Sequence, residues 1–127
     1  TGILAILASK LGAEKIDALD IEHESYMNSI ENASINGVNN ISVFEGDLSV
    51  MPASSYDVIL ANINRNILIR YAAELSQMLV NGGQLLLSGV LAEDSKSVIE
   101  TYQTYGIQLV DSKEMDGWMS AYLTKLV

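Results

Sequence analysis

Cysteine is absent from this sequence, and its absence removes disulfides, thiolate zinc ligands and cysteine nucleophiles together. That usage suits a reducing compartment, so a cytoplasmic location is expected. His23 is the single histidine, and the carboxylates are spread without ligand spacing. With no thiolate and one imidazole, no metal site is expected. Positive charge is scarce: 7 Lys and Arg stand against 16 Asp and Glu, for a net charge of −9. Lys10, Lys15, Arg65, Arg70, Lys96, Lys113 and Lys125 are scattered singly. A nucleic-acid surface needs clustered cations that release counterions from phosphates, so no direct nucleic-acid binding is expected. An acidic surface favours a basic partner, or simply solubility. No apolar run reaches the roughly 18–20 residues that span a bilayer, which sets a membrane role aside.

What is present is an ordinary globular balance, 127 residues with 49% hydrophobic and 18% charged, enough for one domain with its own core. The hydrophobic period alternates between helical and strand-like. Thr1 to Leu11 reads as an amphipathic helix stopped by Gly12. "KIDALDI" (Lys15–Ile21) reads as a strand, Ser25 to Asn36 as a helix closed by "NG", and "ISVFE" (Ile41–Glu45) as a second strand. "YDVILANI" (Tyr56–Ile63) is almost continuously apolar, the pattern of a strand buried on both faces of a parallel sheet. A helix over Ile67 to Leu79, a turn at "NGG" (Asn81–Gly83), the strand "QLLLSGVL" (Gln84–Leu91) and a helix from Glu93 to Tyr105 follow. "IQLVDSKEM", the turn "DG" and "WMSAYLTKLV" read as an antiparallel hairpin. The pattern predicts an α/β fold with helices on both faces of the sheet.

Candidate site residues fall at strand ends. Thr1-Gly2 opens a helix, where glycine lets backbone approach a ligand and free N–H groups attract negative charge; a generic helix start explains it equally well. Asp20, 18 positions after Gly2 (20 − 2), stands at the carboxyl end of the next strand. An acid there can accept both hydroxyls of a ribose, with Glu22 a less well placed alternative. Asp47 in "EGDL" repeats the arrangement one strand later; it could accept from an adenine amine beside Leu48, or make an Asx turn. In "NINRN" after the fourth strand pattern, Asn64 or Asn66 could cap the following helix, and Asn66 is read as the cap. Asn62, still at the strand end, can hold an incoming amine by hydrogen bonds. His23 reads as a solvated surface residue, and Trp118 and Tyr122 as core or edge packing.

The stretches "TGILAILASKLGA", "ALDIE", "SIENASINGV", "EGDL", "DVILANI", "NGGQLLLSGVL" and "GWMSAYL" resemble a class I S-adenosylmethionine-dependent methyltransferase. The resemblance is closest to the catalytic domain of the ribosomal protein L-eleven methyltransferases, over essentially the whole chain. It implies a Rossmann-like sheet flanked by helices with an antiparallel C-terminal hairpin, in the strand order 3-2-1-4-5-7-6. It further implies S-adenosylmethionine as cofactor and amino groups of a basic ribosomal protein as methyl acceptor. Thr1 and Gly2 would match the end of the glycine loop, Asp20 the ribose acid, and Ile21 the adenine packing. Asp47 and Leu48 would match the adenine pocket, Asn62 the polar group near the transferred methyl, and Ile63 the substrate entrance.

On the same resemblance, the family's first strand and the start of its glycine loop are missing, as is its amino-terminal substrate-recognition domain. Residues 1–127 are then expected to be one truncated catalytic domain, with unpaired edges on "KIDALDI" and "YDVILANI". Closing the gap, dimerising or borrowing a strand would repair those edges. The competing expectations are a class I methyltransferase for another protein or a small molecule, and an inactive remnant. A nicotinamide dehydrogenase fits the final hairpin and "ANI" poorly.

Overall fold

A computed structural model describes residues 2–52 and 55–127, in two compact units, 1–52 and 53–127. In the first unit the order is α1 (Ile3–Lys10), β1 (Ile16–Asp20), α2 (His23–Ile35), β2 (Ile41–Glu45) and a 3-10 turn over Leu48–Val50. β1 and β2 pair in parallel, from Ile16 opposite Ile41 to Asp20 opposite Glu45. The parallel sense follows from the crossover through α2, which returns the chain to the starting end of the sheet. Asn40 ties the loop between α1 and β1: its amide donates to the carbonyls of Ala13 at 2.8 Å and Glu14 at 3.1 Å, while Ser9 Oγ donates to its Oδ1 at 2.6 Å. Leu4, Leu7 and Leu11 on α1 stay exposed, because a two-stranded sheet covers little of a helix.

The second unit runs β3 (Tyr56–Asn62), α3 (Arg65–Arg70), α4 (Ala72–Met78), β4 (Leu79–Leu91), a 3-10 turn over Ala92–Asp94, α5 (Ser95–Gln103), β5 (Ile107–Met115) and β6 (Trp118–Lys125). Its four strands lie in the order β3-β4-β6-β5. β3 and β4 are parallel, and β6 is antiparallel to both β4 and β5. The orders β2-β1 and β3-β4-β6-β5 are the two halves of the order that the resemblance implies. β1 and β3 each have one strand neighbour among the described residues. The hairpin turn is Asp116-Gly117, with φ of +52° and +82°. Two successive positive φ values match the twist of the flanking strands, which explains why Asp-Gly serves there.

Three expectations are corrected. "YDVILANI" is not buried on both faces: Val58 is 48% and Leu60 41% exposed, since β3 is an edge strand and the apolar run was read as central. The helix expected over Ile67 to Leu79 is two helices that meet at Tyr71, whose φ of −93° and ψ of 6° leave helical geometry. "NGG" does not precede its strand but lies inside β4, as an irregularity between the pairs Tyr56–Leu79 and Val58–Gln84. Gly82, with φ +79°, takes up the excursion there.

The core of the second unit comprises Leu68, Leu75, Leu79, Leu85, Leu87, Val90, Val98, Tyr102, Ile107 and Leu123, all buried. Alternation along β4 and β6 sends one set of side chains to this side of the sheet. Two polar side chains close the backbone around it. Lys125 Nζ donates to the carbonyls of Ser76 at 2.7 Å and Leu79 at 2.9 Å, capping the end of α4 as cations do at helix C-termini. Tyr102 Oη donates to the Leu68 carbonyl at 2.7 Å. Burial, with a smaller contribution from the Glu74 charge, pushes the Tyr102 phenol above its usual range, so it remains a donor. Tyr102→Phe leaves that carbonyl buried and unsatisfied. It is expected to cost about 1–2 kcal/mol, read as a lower denaturation midpoint with an unchanged m-value.

Candidate functional site

In the first unit the candidate residues gather where β1 and β2 end. Parallel register sets the Asp20 carboxylate beside Glu45, and each acid finds a donor on α2. Ser29 Oγ donates to Asp20 Oδ2 at 2.7 Å. His23 Nδ1 lies 3.0 Å from Glu45 Oε2, with both side chains solvent-accessible. Gly46 N–H donates to the Asp20 carbonyl at 2.9 Å, so the backbone after β2 is tied to the end of β1. Gly2 precedes α1 with φ +76° and ψ 6°, a left-handed conformation that glycine adopts at little cost. A Cβ on Gly2 would lie 3.2 Å from both Cβ and Oγ of Ser29. The backbone at Gly2 therefore runs directly against α2.

Ile21 is exposed immediately after Asp20, and Leu48 is half-buried at the start of its 3-10 turn. Asp47 makes the local turn that its sequence allowed: Oδ1 accepts from the Ser49 N–H at 2.9 Å and also from the Ser49 hydroxyl. Thr1 lies outside the described residues.

In the second unit Asn62 ends β3 opposite Ser88 of β4 and is solvent-exposed, with Ile63 half-buried after it. The helix cap is Asn64 rather than Asn66. Asn64 Oδ1 accepts from the Ile67 N–H at 3.1 Å, and Asn66 already belongs to α3, where its side chain is past the capping position. Arg65 Nη1 lies 3.6 Å from Asp94 Oδ1, which links the segment after β3 to the one after β4. Gly89 has φ +81°, and a Cβ there would collide with Asn62 Oδ1. Among the described residues, no group of three or more His, Asp or Glu could hold a metal ion, and no helix is long and apolar enough to cross a membrane.

Residues 1–125 match the family of ribosomal protein L11 methyltransferase (PrmA). The chain belongs to the ribosomal protein L11 methyltransferase family.

Individual relatives of the chain agree with that family. The chain is 41% identical over 125 residues to the ribosomal protein L11 methyltransferase of Porphyromonas gingivalis, covering 98% of its own length and 43% of that protein. It spans less than half the length of the curated relatives it matches. Among solved structures, a ribosomal protein L11 methylase from Lactobacillus delbrueckii subsp. bulgaricus superposes with a TM-score of 0.93 at 29% identity, over 99% of this chain and 66% of that one. M. jannaschii TYW2, solved in complex with AdoMet, matches with a TM-score of 0.69 at 14% identity, over 94% and 62% of the two chains; that likeness concerns the fold alone. The Rossmann-like class I methyltransferase fold expected from the sequence is the fold found.

Two residues escaped the sequence reading, Ser29 and Gly89. Each is locally unfavourable, a serine inside a helix and a glycine inside an apolar strand, and that was the available signal. Gly89→Ala meets both the positive φ and the Asn62 side chain. It is expected to destabilise the protein by about 2–3 kcal/mol, and by about 1 kcal/mol less in an Asn62→Ala background. Thermal or denaturant unfolding of the four proteins measures this coupling; equal losses in both backgrounds would remove Asn62 as the neighbour that Gly89 accommodates.

Proposed function

We propose that this chain acts as the catalytic domain of an S-adenosylmethionine-dependent methyltransferase that modifies amino groups, lysine side chains or an N-terminus, of ribosomal protein L11. The observation that carries the reading is the Asp20 carboxylate beside the close approach of Gly2 to α2. A Cβ at Gly2 would press on Ser29, so only glycine lets the turn that opens α1 pack this closely against the helix whose Ser29 holds Asp20. Asp20 offers only acceptors, which suit the hydroxyl donors of a ribose. These residues fit the cofactor.

In this reading Asp20 holds the ribose, Ile21 packs on the adenine, and Leu48 with Asp47 lines the adenine pocket. Thr1 and Gly2 border the methionine part. Bound S-adenosylmethionine supplies a methyl group on a sulfonium, a leaving group good enough for direct displacement by nitrogen. Asn62 orients the acceptor: its amide oxygen takes an N–H of the amine, aiming the lone pair without adding charge. Ile63 shapes the entrance. A lysine must first lose its proton, because its ordinary pKa is about 10.4, and water is the acceptor for that proton. Most of the rate then comes from alignment.

A net charge of −9 complements a basic ribosomal protein and steers it inward. The reaction is assigned to the cytoplasm, where ribosomal proteins are available. The exposure of Val58 and Leu60 on β3 further favours a strand added beside β3 in the assembled protein, borrowed or from a second copy.

Calorimetric titration with S-adenosylhomocysteine tests the cofactor site. Saturable binding is expected, weakened about tenfold or more by Asp20→Ala, the loss of a charge-assisted hydrogen bond. With radiolabelled methyl donor and ribosomal protein L11, Asn62→Ala is expected to lower kcat by about 10²-fold with little change in cofactor affinity. Binding without methyl transfer in the wild-type protein would leave a cofactor-binding domain that is not itself the catalyst.

A further inference from the structure

We propose that Ser29 is a positioning residue for the cofactor's ribose, acting through Asp20 and not by contact with the ligand. This inference rests on the ribose role given to Asp20 above. Ser29 lies within α2 and is 2% exposed, and its hydroxyl donates to Asp20 Oδ2 at 2.7 Å across to the end of β1. Ser9 in α1 also reaches across, to Asn40 Oδ1 at 2.6 Å, but that bond ties a loop and involves no charge, and the hydroxyls of α5 stay local. Ser97 and Thr101 in α5 donate to carbonyls of the preceding turn, Asp94 at 3.0 Å and Ser97 at 2.7 Å, the local bond a helical Ser or Thr ordinarily makes. Ser29 instead spends its only donor on a carboxylate in another element.

Stability alone does not ask for serine here. Alanine is the better helix former and buries no hydroxyl, and Ala33, one turn along, is buried in that way. What serine adds is a fixed carboxylate. An Asp side chain turns easily about its second torsion; a donor on Oδ2 stops that rotation and leaves Oδ1, with the second lone pair of Oδ2, to accept from outside. Two acceptor oxygens held in one plane match the two donors of a cis-diol. The same arrangement repels a phosphate on that sugar. Ser29 also backs Gly2, whose missing Cβ would lie 3.2 Å from its Oγ, so one side chain sets both the ribose acid and the floor of the glycine turn.

The test is calorimetry on the intact protein with two probes, S-adenosylhomocysteine and its 2′-deoxyribose analogue, across wild type, Ser29→Ala, Asp20→Asn and the double variant. Ser29→Ala is expected to weaken S-adenosylhomocysteine by about 5- to 20-fold, the scale of a lost hydrogen bond to a charged group. It should weaken the deoxy analogue less than about twofold and leave the melting temperature unchanged or raised. In the Asp20→Asn background the Ser29→Ala effect should largely vanish. Equal weakening of both probes, or a matching drop in melting temperature, would make Ser29 a merely structural residue. No weakening of either probe would overturn the inference while Asp20→Asn still discriminates the probes. If Asp20→Asn fails to discriminate them, the ribose reading of Asp20 falls, and the Ser29 inference with it.

Discussion

Parallel pairing of β1 with β2 forces two acids side by side, Asp20 opposite Glu45. Like charges on neighbouring strand ends repel, and a half-buried carboxylate needs hydrogen-bond donors. α2 answers both demands, with Ser29 on Asp20 and His23 beside Glu45. The crossover helix that makes the strands parallel thereby also places a partner beside each acid. Its cost is a serine inside a helix and a glycine that must take a left-handed turn against it. Each of those choices is poor in isolation and sensible at a ligand site.

The second unit shows the same division between support and site. One side of its sheet is a dry apolar core closed by Tyr102 and Lys125, each bonded to backbone carbonyls. At the carboxyl ends of β3 and β4 the side chains turn polar: Asn62, Ser88, then Asn64, Arg65 and Asp94. Open α/β sheets bind ligands outside those ends because the strands fix backbone geometry there while the following loops are free to vary. At Gly89 the positive φ and the Asn62 side chain lying over it both favour glycine.

Element order, parallel pairing and the final hairpin were legible in the sequence, because period and turn chemistry are local signals. So was the position of Asp20 at the end of its strand. Ser29 was not, since its partner is nine positions away on another element (29 − 20) and only the fold brings them together. The exposure of Val58 and Leu60 was misread because apolar composition records what a strand is suited to pair with, not which neighbours it has. Asn64 and Asn66 are equivalent in composition, and only the start of α3 decides which one caps it. The break at Tyr71 has no proline or glycine to announce it.

The most direct measurement is amide chemical-shift mapping during titration with S-adenosylhomocysteine. The predicted result is that Gly2, Ile21, Ser29 and Leu48 in the first unit shift saturably with a single dissociation constant. Shifts confined to residues elsewhere, such as the Asp116-Gly117 turn, or none at saturating ligand, would contradict a cofactor site at the ends of β1 and β2.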